Sequence, residues 1–171
     1  FDFKGFSVVD VNQWLAEILP KLREVYSGKI IARISNLQNT HLVIGYDFIG
    51  GTLSPQRYNP EAFADYTESY YQTHVQVAQN SGCKWLVGEF FAPYSTKWAN
   101  ILQISPGTTT DWQTWQDDFF KIAADKYCYF KEEIKPSGFI FTNYKHKDGT
   151  EIKDREAESI VSNFYNLLIK Q

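Results

Sequence analysis

The chain has 171 residues, 43% hydrophobic and 22% charged, the composition of one ordinary globular domain and not of a disordered segment. A formal net charge of -3 offers neither a basic footprint for nucleic acid nor a polybasic surface for anionic lipid. No apolar run approaches the roughly 20 residues that span a bilayer, so neither nucleic acid nor a membrane is expected as a partner.

The chain begins at Phe1 and contains no methionine, which leads us to expect further sequence ahead of it. Ser7-Val8-Val9-Asp10 has capping-box spacing, in which a hydroxyl and an acid three residues on satisfy each other's backbone amides. Apolar residues then recur at helical intervals and predict a helix over about Val8–Tyr26, kinked or broken at Pro20, which lacks a backbone donor. Ser27-Gly28 ends it, and the β-branched run Lys29–Ile34 predicts the first strand. Leu42–Leu53 could hold a second strand in either half, of which the second, Tyr46–Leu53, is favoured.

Asn59-Pro60-Glu61 is a helix start, with a cap, a proline at the first helical position and an acid in the first turn. That helix should run from Pro60 to about Gln79. Lys84–Glu89 follows, an apolar run of the kind found in parallel strands buried on both faces. It ends on a single carboxylate, Glu89. Period-2 alternation would put Glu89 on the face of Trp85 and Val87, pointing into the sheet interior at its carboxyl edge, where α/β enzymes build their sites. A strand-end glutamate turned out to solvent is the plainer alternative.

The stretch from Phe90 to Thr109 reads as a long aromatic loop. Thr110-Asp111-Trp112-Gln113 opens a helix to about Lys131, and Phe139–Tyr144 is the last strand. A final helix over about Asp154–Ile169 shows Ile160, Phe164, Leu167 and Leu168 on one face. Strands alternating with helices imply a parallel sheet with right-handed crossovers. Four strands are too few to close a barrel. An aromatic content of 17% suits either a large aromatic core or rings that stack on sugars. Cys83 and Cys128 lack metal-type spacing and are either buried thiols or one disulfide. His41 and His146 have no partner at metal-ligand spacing and His74 lies mid-helix, so no metal or other cofactor is expected.

Gly45-Tyr46-Asp47-Phe48-Ile49-Gly50, then Ser54-Pro55, Val87-Gly88-Glu89-Phe90, Ser137-Gly138-Phe139, Asp148-Gly149 and Ile152-Lys153-Asp154 together resemble the carboxyl-terminal half of retaining glycoside hydrolases. The family is the clan of (β/α)8-barrel glycosidases that includes cellulases, mannanases and β-galactosidases. The resemblance implies a TIM-barrel fold of which residues 1–171 form about strands 5 to 8, within one catalytic domain. It implies that Glu89 is the nucleophile at the end of the seventh strand and that the acid/base glutamate belongs to a fourth strand ahead of Phe1. Tyr46 and Tyr58 would offer the nucleophile a hydrogen bond. Tyr94 and Trp98 would stack on sugar rings, and Asn143 and Tyr144 would line the substrate site. The clan often carries a tryptophan at the end of the eighth strand, where this chain has Phe141, Asn143 and Tyr144, and the connection between the fifth and sixth strands is short.

The resemblance also puts Cys83 and Cys128 near each other at the amino-terminal face of the barrel, where a disulfide would suit an extracellular protein. The implied partners are a carbohydrate substrate and the amino-terminal half of the barrel or a second copy of the chain. Two functions follow: hydrolysis of β-glycosidic bonds with retention, or a non-catalytic barrel that binds carbohydrate or serves as a scaffold. A phosphate-binding barrel would need a glycine-rich loop between the last two strands, and Phe90–Thr109 has only Gly107.

Overall fold

The computed structural model of the protein describes residues 5–35, 37–55, 60–92, 112–130, 135–142, 144–145 and 150–169. In chain order these hold helix α1 (Val8–Val25), strands β1 (Ile31–Arg33) and β2 (Phe48–Leu53), helix α2 (Pro60–Ser81), strand β3 (Lys84–Phe90), helix α3 (Trp112–Tyr129), strand β4 (Phe139–Phe141) and helix α4 (Glu156–Ile169). The strands form one sheet in the order β1-β2-β3-β4. β1 and β2 pair in parallel with Ile31 opposite Phe48 and Arg33 opposite Gly50. Further along the sheet, Ser137 N donates to Trp85 O at 2.8 Å and Val87 N to Gly138 O at 2.9 Å, a ladder that advances in the same direction on both strands. The chain divides into two compact units, the first made of Phe1–Thr52, Ser69–Glu89 and Ile134–Ile140, the second of Leu53–Glu68, Phe90–Glu133 and Phe141–Gln171.

In the first unit the capping box forms as the sequence predicts. Ser7 Oγ accepts from Asp10 N at 3.2 Å while Asp10 Oδ2 accepts from Ser7 N at 2.9 Å. Of the kink or break expected at Pro20, the break does not occur, and α1 runs unbroken to Val25. Proline removes only one intrahelical donor; the buried Val11 and Leu15 hold the amino-terminal half, and Tyr26 N closes the last turn on Leu22 O at 2.9 Å. The chain then enters the sheet through Asp47, whose carboxylate accepts from Arg23 Nη2 and Lys29 Nζ at 2.7 Å each and from Ile30 N at 2.9 Å. Those donors, Lys29 first, hold the Asp47 carboxyl well below the usual carboxylate range.

The carboxyl-terminal part of α2 covers one face of the sheet. Tyr71 and His74 pack on Trp85 with ring centroids 5.3 and 5.6 Å apart, around the fully buried Ile49, Val77 and Val87. α2 ends where Gly82 takes φ +67°, a left-handed conformation that costs glycine little, and Cys83 N bonds back to Ala78 O at 3.1 Å. Cys83 is a half-buried free thiol and Cys128 an exposed one.

The second unit has an aromatic core. Phe119 lies 4.2 Å from Phe63 and 5.6 Å from Phe90, Phe90 meets Phe120 edge-on at 5.1 Å, and Tyr127 meets Phe164 edge-on at 5.4 Å. Much of the high aromatic content is therefore core. Gln116 is fully buried among these rings, its amide nitrogen donating to the carbonyls of Ala92 at 2.9 Å, Glu151 at 3.3 Å and Thr150 at 3.4 Å. The face that α4 buries is Ala157, Val161 and Phe164. Leu167, expected on that face, is exposed, and Ile160 and Leu168 are half-buried.

Candidate active site at the carboxyl end of the sheet

Arg33 is the last residue of β1, while Thr52 and Glu89 are each the last residue but one of β2 and β3. In a parallel sheet these positions share one edge, and the three side chains meet there. Thr52 Oγ1 donates to Glu89 Oε2 at 2.8 Å, Arg33 Nη2 donates to Thr52 Oγ1 at 3.0 Å, and the same guanidinium nitrogen pairs with Glu89 Oε2. The Glu89 side chain is 25% exposed and that of Arg33 48%, so the cluster is within reach of a solute.

The face on which they meet is not the one that simple alternation predicts. Trp85 turns toward α2, and so does the Cα–H of Gly51, where a methyl group would come within 2.7 Å of His74 Nε2. Gly50 turns the other way: a methyl group there would lie 3.2 Å from Leu86 Cδ1 and 3.3 Å from Ile31 Cγ2. Arg33 and Thr52 share the face of Ile31 and Gly50 by period 2, and Glu89 joins them. Leu86 and Glu89 are thus three residues apart on one face, so the alternation is interrupted between them. Gly88 marks the interruption, since a methyl group there would point edgewise at β2, 3.4 Å from both N and O of Gly51. The expectation that Glu89 shares the face of Trp85 is corrected on this ground.

Of the other residues singled out from the sequence, Tyr46 does not come to Glu89. It precedes β2 at the amino-terminal end of that strand, is buried, and donates its phenol proton to Leu15 O at 2.9 Å. It anchors α1, and burial pushes its phenol pKa up. Tyr46 also borders a groove of about 380 Å³, with Val9, Leu15, Ala16, Leu42 and Ile44, which contains none of Arg33, Thr52 and Glu89. Tyr144 belongs to the second unit, where its exposed phenol donates to Glu158 Oε1 at 2.5 Å, a bond that raises its pKa. Tyr58, Tyr94, Trp98 and Asn143 lie outside the described residues.

Sequence reading missed Arg33 and Thr52. The available signal was a polar residue closing each strand: Arg33 after Ile30-Ile31-Ala32, and Thr52 after Gly50-Gly51. Among the described residues no group of three or more His, Cys, Asp and Glu side chains gathers as metal ligands. No described helix is long and apolar enough to cross a membrane.

No protein-family model and no curated protein matches the chain. Solved structures do. The chain is similar to the GH113 β-mannanase AaManA from Alicyclobacillus acidocaldarius in complex with ManMIm, with a TM-score of 0.62 at 15% identity over 91% of this chain and 50% of that one. A second GH113 β-1,4-mannanase gives 0.59 at 13% identity over 91% and 51%. The endo-β-1,4-mannanase from Thermotoga petrophila gives 0.54 at 12% identity over 94% and 40%. The likeness is one of fold. These neighbours are TIM-barrel glycoside hydrolases, and the chain spans about half their length.

Proposed function

We propose that the protein is a retaining glycoside hydrolase acting on β-linked polysaccharide, with Glu89 as its nucleophile. The observation that carries this reading is a partly exposed carboxylate, held by an arginine and a threonine at the carboxyl edge of a parallel sheet, in a fold shared with β-mannanases. A carboxylate so held is aimed, as attack on an anomeric carbon requires. The Glu89 carboxylate would form a bond to that carbon as the glycosidic C–O bond breaks, and the departing oxygen would take its proton from a second carboxyl group. Retention needs that group about 5–5.5 Å away. In this reading the chain supplies about half of a barrel, strands 5 to 8, and the proton-donating carboxyl sits on a strand of the other half or of a second copy. Because the neighbours are mannanases, β-1,4-mannan is the first substrate to test.

The experiment is hydrolysis of β-1,4-mannan and related β-glucans by the full-length polypeptide, with the anomer of the first product read by proton NMR. Glu89→Ala should abolish turnover while substrate binding persists, and azide should restore cleavage as a glycosyl azide of inverted configuration. Activity of Glu89→Ala within a few fold of the parent would sink the assignment. The second reading is a non-catalytic carbohydrate-binding barrel, in which Glu89, Arg33 and Thr52 would hold sugar hydroxyls without cleaving the chain. Saturable binding of the same oligosaccharides without any hydrolysis would decide for it.

A further inference from the structure

The structure assigns Arg33 and Thr52 as positioning residues that make Oε1 of Glu89 its attacking oxygen. The inference rests on the glycosidase reading and goes beyond it by naming which oxygen reacts and what orients it. Both contacts to the carboxylate converge on Oε2, and among the described residues Oε1 has no hydrogen-bond partner. Donor accounting makes the arrangement directional. Arginine has no acceptor, so the 3.0 Å contact between Arg33 Nη2 and Thr52 Oγ1 must run from the guanidinium to the hydroxyl. The hydroxyl's single proton is then left for Glu89 Oε2 at 2.8 Å, with the guanidinium donating to the same oxygen. Two donors on one oxygen fix the carboxylate plane and hold negative charge there, while the other oxygen keeps its lone pairs open.

The same bonds suit both halves of a double displacement. When Oε1 bonds the anomeric carbon and the glycosidic C–O bond breaks, Oε2 becomes the ester carbonyl and keeps Arg33 and Thr52 as donors. When water attacks that carbon and the C–Oε1 bond breaks, the electron pair returns to a carboxylate the guanidinium is already placed to stabilise. The water's proton goes to the second carboxyl group, which gave up its own in the first step. Arg33, Thr52 and Glu89 lie on three different strands, brought together by the interrupted alternation at Gly88. A strictly alternating β3 would turn Glu89 away from both donors.

The test compares Arg33→Met, Arg33→Lys, Thr52→Val and Thr52→Ser in the full-length polypeptide on β-1,4-mannan oligosaccharides. Arg33→Met should lower kcat about 100-fold and Thr52→Val about 10-fold with KM changed less than about threefold, the size expected for losing one oriented donor to a developing charge. Thr52→Ser, which restores the hydroxyl, should recover kcat to within about threefold. Arg33→Lys, which keeps the charge but not the planar fork, should fall in between. If Glu89→Ala is inactive while Arg33→Met and Thr52→Val keep kcat within threefold, the positioning inference is overturned and the glycosidase reading stands. If Glu89→Ala retains activity, the glycosidase reading itself fails. A crystal structure of Thr52→Val supplies a readout that needs no turnover: the Glu89 carboxylate should leave its present rotamer, and an unchanged carboxylate would overturn the inference. Should Arg33→Met fail to fold, Arg33→Lys carries the same comparison, and parental kcat in it would count against the role.

Discussion

Replacing His74 with leucine should remove a block of pH-dependent stability from the first unit. His74 is buried, its ring 3.9 Å from that of Tyr70, and its Nδ1 lies 2.8 Å from Tyr70 O. A carbonyl oxygen only accepts, so Nδ1 carries the proton of the neutral ring and Nε2 is a bare acceptor with no partner among the described residues. Charging that ring would put an uncompensated cation in the core, and burial accordingly drives the His74 pKa down from 6.5 to about 4. With the folded value below the unfolded one, the unfolded chain binds more protons between these pH values. Stability is therefore full above pH 6.5, is lost as pH falls from 6.5 toward about 4, and stops changing on this account below that.

At about 1.4 kcal/mol per pH unit the whole window is worth about 3 kcal/mol, a sizeable share of a domain's stability. Leucine fills similar space without the titrating nitrogen, so near pH 7.5 the variant should lie within about 1.5 kcal/mol of the parent. The assay is urea unfolding followed by tryptophan fluorescence at half-unit steps from pH 7.5 to 4. His41, whose pKa burial also lowers, is present in both proteins and cancels in the difference. The two stability curves should diverge by about 3 kcal/mol across the window. Parallel curves would refute the claim that the fold holds His74 neutral.

Gly51→Ala should cost about 1–3 kcal/mol, because its methyl would sit 2.7 Å from the walled-in His74 Nε2; pairing it with His74→Ala should recover part of the loss in the thermal midpoint. Gln116→Glu turns an amide donor aimed at three carbonyls into a buried carboxylate and should cost more than about 3 kcal/mol by chemical denaturation, well beyond Gln116→Leu. Asp47→Asn should lower the thermal midpoint at pH 7. Because the Asp47 carboxyl is held below its ordinary 3.8, that deficit should shrink as pH falls below this value.

The elements of this fold were legible because caps and apolar runs are local. Ser7 and Asp10, Pro60, and the run into Glu89 each announce themselves within a few residues. The site was legible only at its carboxylate. Its partners lie 56 and 37 residues away along the chain, and only strand order and register bring them together. Tyr46 misled because closeness to a strand in sequence does not say which end of it a side chain serves; it lies two residues before the start of β2 and Thr52 next to its end. The face of Glu89 misled for a subtler reason, since a glycine that interrupts alternation looks in sequence like any other strand residue. On α4 the expected stripe missed Ala157 and Val161, which do the packing, and took in Leu167, which is exposed.

The interruption at Gly88 has a consequence for how the protein can change. Upstream of it, β3 is committed to Trp85 and its ring partners on α2, where most substitutions disturb packing. One residue beyond it, Glu89 is held, among the described residues, by Arg33 and Thr52. Packing and candidate site are thus written on the same strand but under separate control. New reactivity can be sought by varying residues 33, 52 and 89 together, with the helix-packed face left as it is. A one-residue insertion or deletion between 86 and 89 would by contrast exchange the two roles at a stroke, and that short interval should tolerate length changes least of any in the sheet.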